Sequence, residues 1–372
     1  MQSKNIAYIG KLDHLRFLAA FTVLEYHADI WFRSIGAPHE WLSLPLFHRG
    51  YTGVALFMVI SGFIFSVITH GKEIDARKFY LDRILRIYPL FIFIVALGYF
   101  ATPDPRNTST GLDFLLALLP ISNLYRLHYG TFGGVLFSVA IELQFYLLLP
   151  ALLIFMRKYS RWYVPAVIGC LIGIRAVVYL LNGSIHDLAY FSIFGALDIF
   201  LIGMLAGGFY VLPSARRFSG WLVLLAFVLV NGIVYAAHLD RSFFNFDFTK
   251  TVTDGVSRSP LWIVWPTIEG LMFAAFALVY LRSAWEVPFA RAFAYLGKIS
   301  YSLYVWHTIV FMVAVRLRLN FLPPFEMGAL IVFPISTLIA AASYELIEKP
   351  FLSMRVVYAK RIEQDVREPA RA

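Results

Sequence analysis

The chain has 372 residues, of which 60% are hydrophobic, 17% aromatic and only 15% charged, with a formal net charge of +9. A water-soluble domain of that length needs far more charge to cover its surface, so composition excludes a soluble globular protein. A single cysteine, Cys170, excludes an intramolecular disulfide and a cysteine metal cluster.

Apolar runs recur along the chain, each close to the roughly 20 residues that cross a bilayer core as a helix. They predict an all-α polytopic membrane bundle of ten spans, near residues 14–32, 51–69, 86–102, 133–155, 162–181, 190–210, 219–237, 260–281, 300–318 and 325–346. The first is not a cleaved signal peptide, because its apolar run is long, polar in the middle and not followed by a small-residue cleavage site. The run FLLALLP near 114–120 is too short to cross and is expected at the interface.

Counting from an amino terminus inside, 22 of the 32 Lys and Arg residues fall on the inner side and 9 on the outer. Basic residues are retained on the cytoplasmic side, so both termini are expected in the cytoplasm. The positive charge therefore needs no nucleic-acid partner. The division is a membrane domain over 1–352 and a short charged cytoplasmic tail over 353–372. The largest outer loop, about 238–259, contains RSFFNFDF and is either an interfacial, substrate-covering element or a loop packed on the outside of the bundle. Spans five and six carry GCLIG (Gly169, Gly173) and GMLAG (Gly203, Gly207). Small residues at that spacing let helices approach closely. Cys170, between the first pair, is expected to be a packing residue.

The first span, LDHLRFLAAFTVLEYHA, is unusually charged. Each charge at the centre of an inserted helix costs roughly 2.5–3.5 kcal/mol, so such groups persist where partners or water serve them. Arg16 and His27 are eleven residues apart, which at 3.6 residues per turn is about three turns and roughly 16 Å along one face. Either they line a passage for a linear ligand, or Arg16 pairs with Asp13 and His27 is a hydrogen-bonded core residue. Four more charges lie inside spans: Glu142, Arg175, Asp198 and Glu269. The last three are candidates for a polar acceptor-side chamber, or Arg175 and Asp198 form a structural ion pair.

Further motifs decide between these readings: GYTGVALFMVISGF (50–63), FYLDRILRIYPL (79–90), FSVAIELQFYLLLP (137–150), LGKISYSLYVWH (296–307) and YELIEKPF (344–351). With the first span they resemble, in order and from about residue 11 to 352, the acyltransferase-3 family of integral membrane O-acyltransferases. The resemblance implies transfer of an acyl group, often acetyl, from cytoplasmic acyl-CoA as co-substrate to a hydroxyl of a glycan or lipid-linked acceptor. It implies no bound cofactor or metal, surrounding membrane lipids, and a bacterial inner membrane. The family's arginine and histidine fall on Arg16 and His27, its basic motif on Arg83 and Arg86, and its fourth-span glutamate on Glu142. Where many members have a second acid, this chain has Leu143. Some relatives carry a fused extracytoplasmic esterase-like domain; here about twenty residues follow the last span, so transfer is expected within the bundle or through a separate partner.

On this reading His27 is the general base or acyl relay, since imidazole titrates near neutral pH. Glu142 would orient His27, and Arg16, Arg83 and Arg86 would hold the coenzyme's phosphates through guanidinium forks. Ser61 and His307 lie in family motifs without an assigned role. The competing reading is a transporter or flippase that uses its intramembrane charges for ion-coupled movement, against which the absence of a repeat counts.

Overall fold

The computed structural model describes residues 4–38, 44–100, 111–125, 134–159, 162–212, 217–239, 243 and 257–361. Ten long helices account for most of it: α1 (Gly10–Ser34), α2 (Gly53–Thr69), α3 (Ala76–Phe100), α4 (Leu136–Lys158), α5 (Tyr163–Asn182), α6 (Ile193–Tyr210), α7 (Gly220–Ala237), α8 (Trp265–Leu281), α9 (Ser300–Arg316) and α10 (Pro324–Ser353). The all-helical membrane architecture is what the apolar periodicity demands.

Length and hydropathy together qualify seven of these helices as membrane spans, or eight if the short helix Ala290–Lys298 and α9 count as one span bent by 73°. Two of the ten segments predicted from sequence are not among them. α1 is 25 residues long but carries the charges described above, and α8 has only 17 residues.

Local signals set several ends. Asp75 accepts a hydrogen bond from the Lys78 amide where α3 begins, and the Ser192 hydroxyl accepts from the Phe194 amide at the start of α6; both satisfy amides that have no partner inside the helix. α5 stops at Gly183, whose φ of 67° suits a residue without a Cβ. α10 contains two wide turns, at Gly328–Val332 and Tyr344–Glu348.

The bundle is layered by burial. In the spanning window of α2, 72% of residues are buried, against 17% for α5. The peripheral helices present Leu180, Leu181, Trp221, Val228 and Leu338 outward, as lipid-facing surfaces should. Cys170 is exposed there too, so it is not the packing residue expected of it.

The close approach expected of the glycine pairs occurs at one pair only. A Cβ on Gly203 would lie 2.3 Å from the Val59 carbonyl oxygen, and one on Gly207 would lie 2.4 Å from that of Phe63. From the facing helix, a Cβ on Gly62 would lie 2.0 Å from the Phe200 oxygen. Thus α2 and α6 meet backbone to backbone. Gly169 and Gly173 have nothing within 4 Å of a Cβ, because α5 turns that face outward.

Helix α1 runs through the interior, which explains its tolerance of charge. Asp13, Glu25 and Asp29 are buried in protein rather than exposed to lipid. At one end of the bundle, β1 (Lys72–Ile74) pairs antiparallel with β2 (Ala359–Arg361), Lys72 opposite Arg361 and Ile74 opposite Ala359. This small sheet ties the segment after α10 to the loop before α3.

Candidate active site

Beside the sheet-bearing end, α1, α2, α3, α4, α9 and the end of α10 surround a cavity of about 190 Å³. Of the residues singled out from sequence, Arg16, Ser61, Arg83, Arg86 and Glu142 all line it, each from a family motif on one of four helices. Far apart in sequence, they meet in space.

Its basic wall is graded in how tightly each cation is held. Arg16 donates to the Asp13 carboxylate at 2.7 Å, one turn away on the same helix. It therefore forms the pair that the structural reading anticipated and also faces the cavity. Arg83 bonds the neighbouring Asp82 and lies within 5.2–5.8 Å of the ring centroids of Phe65, Phe79, Tyr146 and Tyr358. Cation–π contact of this kind fixes a guanidinium while leaving its charge intact. Arg86 has no hydrogen bond or ion pair among the described residues, which leaves its fork free for a ligand. Tyr8, at the rim beyond the helices, has its phenol pushed up to about 12 by partial burial and then by the Asp13 carboxylate, so it remains a neutral donor.

Glu142 accepts from the Ser61 hydroxyl at 2.9 Å and from the Tyr146 hydroxyl. These described hydrogen bonds of Glu142 do not reach His27, the residue it is expected to orient. The His27 Nδ1 lies 2.9 Å from the Val23 carbonyl oxygen and 3.3 Å from Nε2 of His307. A carbonyl can only accept, so Nδ1 carries the hydrogen and the lone pair of His27 is on Nε2. The same argument applies to His307, whose Nδ1 faces the Leu303 carbonyl at 3.3 Å; its Nε2 is then the acceptor for His27. The Val23 carbonyl thus sets the His27 tautomer, and the completely buried His307 lies within hydrogen-bonding distance of the same Nδ1.

His27 itself does not line the cavity. Tyr304 lines it, and its ring centroid lies 5.9 Å from that of His307. The Tyr304 hydroxyl is anchored by Ser138 at 2.7 Å and Val135 at 3.1 Å. His27 retains partial exposure.

The remaining candidates lie elsewhere. Arg175 and Asp198 are completely buried and paired at 2.7 Å, and Thr267 donates to the same carboxylate at 2.5 Å while accepting from Arg175 at 3.1 Å. Neither lines the cavity, and the two form the interhelical ion pair that the sequence offers as one alternative. Glu269 is also buried. The RSFFNFDF loop falls outside the described residues except for Phe243, which stacks on Trp262 with centroids 4.7 Å apart.

The family profile described as an acyltransferase domain matches residues 9–345. The chain belongs to the acyltransferase-3 family. Among its relatives, the O-acetyltransferase OatA of Staphylococcus aureus strain NCTC 8325 / PS 47 is 24% identical over 92% of this chain and 57% of the relative. SACOL0978 of Staphylococcus aureus strain COL, whose name also carries the term O-acetyltransferase, is 24% identical over 94% of this chain and 58% of the relative. The chain thus spans less than two thirds of the length of these relatives. No solved structure matches it significantly.

The sequence does not single out Glu348 or Arg355, both of which line the cavity. Glu348 sits inside the YELIEKPF motif, whose members the sequence does not rank. Arg355 lies beyond the last span, where a basic residue reads as membrane anchoring.

Proposed function

We propose that this acyltransferase-3 member is an integral membrane O-acyltransferase of the bacterial inner membrane that takes an acyl group, acetyl in particular, from cytoplasmic acyl-CoA. The acceptor is a hydroxyl on a cell-envelope glycan. The sheet-bearing end of the bundle is cytoplasmic on this reading, because the retained basic residues concentrate there.

The observation that carries the proposal is the convergence of Arg16, Arg83 and Arg86 with Glu142 and Ser61 on one cavity. Guanidinium forks match phosphate oxygens, and a nucleotide thioester has phosphates at one end and a reacting carbonyl at the far end of a flexible arm. The arm would extend along α1 from Arg16 toward His27. A transporter reading gives no reason for a tautomer-fixed histidine pair next to a phosphate-type site.

In the transfer step the acceptor oxygen bonds to the thioester carbonyl carbon while His27 Nε2 takes the hydroxyl proton. Collapse breaks the carbon–sulfur bond, and the proton passes from imidazolium to the departing thiolate. The thioester held in the cavity must therefore reach His27, which stands outside the cavity lining. The purified protein, given radiolabelled acetyl-CoA and a hydroxyl acceptor, is expected to release free coenzyme and labelled acceptor. A His27→Ala protein that transferred normally would overturn the assignment.

A further inference from the structure

We propose that Arg355, in the segment that follows α10, is a donor-specificity residue that contacts the phosphate-bearing end of the coenzyme thioester, with Asp82 as its positioning residue. The proposal deepens the donor reading above and rests on it.

Arg355 lines the cavity although it lies outside every motif quoted from the sequence. Its Nε donates to one oxygen of Asp82 at 2.7 Å and its Nη2 to the other at 2.8 Å. This two-point clamp holds the guanidinium plane fixed and leaves Nη1 without a protein partner among the described residues. The same carboxylate also serves Arg83. Arg83 and Arg355 thus share the single carboxylate of Asp82, and Arg86 stands alongside with no hydrogen bond or ion pair among the described residues. Two positive charges thus remain on this wall, which suits a phosphate group. Three carboxylates line the cavity itself: Asp13 pairs with Arg16, Glu142 accepts from Ser61 and Tyr146, and Glu348 accepts from Ser302.

The segment that carries Arg355 is built in rather than trailing. Asn5 accepts from the amides of Tyr358 and Ala359 at 2.9 and 3.1 Å, Asp75 donates its amide to the Tyr358 carbonyl at 2.9 Å, and Lys4 donates to the Arg355 carbonyl at 2.6 Å. Tyr358, completely buried, packs on Phe79 and Arg83. Three separate parts of the chain therefore hold one arginine at the cavity wall. A buried ion pair alone contributes little net stability relative to apolar packing, so stability gives weak reason for the expense of this arrangement.

The test compares two probes that share the thiol arm and differ in phosphates: coenzyme A and pantetheine. Binding of each is measured by calorimetry on the full-length protein in nanodiscs, wild type against Arg355→Gln. The expected result is a loss of at least tenfold in coenzyme A affinity with pantetheine unchanged. Arg355→Lys, which keeps the charge without the fork, is expected to lie between. Arg361→Gln, an exposed change on the same strap, should leave both affinities as they were. Unchanged coenzyme A binding by folded Arg355→Gln, or an equal loss for both probes, would overturn the proposal. If Arg355→Gln does not fold, the Arg355→Lys comparison decides by the same criterion. Failure of the wild type itself to bind coenzyme A would instead sink the donor reading, and this proposal with it.

Discussion

His27 and His307 face each other across 3.3 Å, Nδ1 of the first against Nε2 of the second. On the proposed mechanism, the His307 imidazole takes the place that a carboxylate holds in the familiar serine–histidine–aspartate arrangement. Because His307 is buried and its own Nδ1 is committed to the Leu303 carbonyl, it can accept from His27 in only one way. Replacing it should therefore damage the chemical step more than donor binding. For His307→Ala, kcat is expected to fall about 10²-fold, within the range for a misoriented general base, with coenzyme A affinity unchanged. Calorimetry and steady-state kinetics on the same preparation check this; a parallel loss of binding would show that His307 serves the fold instead.

The contact between α2 and α6 gives a second expectation. Gly62→Val must place carbon where the Phe200 carbonyl now lies, and Gly203→Val meets Val59 in the same way. Overpacking of this kind costs about 1–3 kcal/mol when neighbours can move, and backbone moves least easily. Both variants should lose thermal stability in detergent, whereas Gly173→Val should keep it, since that face is open. Melting by intrinsic fluorescence separates them.

The Arg175–Asp198 pair predicts a stability effect rather than a catalytic one. Removing one partner from a completely buried pair costs about 3–5 kcal/mol, because the other charge is left uncompensated. Asp198→Ala should therefore be strongly destabilised. Arg175→Met combined with Asp198→Leu should recover part of the loss, since neither charge remains. If the recovered double variant showed normal stability but no transfer, the pair would have a role in acceptor handling after all.

Much of this site was legible in the sequence, for a definite reason. Arg16, Arg83, Arg86, Glu142 and Ser61 each sit in a helix whose apolar periodicity fixes its identity, and a charge in such a helix signals a polar interior neighbour. What periodicity cannot supply is the partner across a helix interface. Glu142 is the orienter of His27 that the sequence suggests, yet His307 is the residue found 3.3 Å from the His27 ring, and only the relative rotation of α4 and α9 could reveal that. Helix faces were similarly ambiguous for the glycines: GCLIG and GMLAG look alike, yet one pair meets a backbone and the other faces outward. Arg355 was hidden because its significance arises from a strap folded back by Asn5 and Lys4, contacts separated by some 350 positions.

The central claim is that an arginine-lined cavity holds the acyl donor and that His27 acts on it. Single-turnover reaction of purified protein with radiolabelled acetyl-CoA and acceptor addresses it most directly, with wild type, His27→Ala and the double variant Arg83→Gln, Arg86→Gln run together. The account predicts that His27→Ala retains the label as intact, bound donor, while the double arginine variant fails to bind it. Label reaching the acceptor at the wild-type rate without His27, or donor binding that survives loss of both arginines, would contradict it.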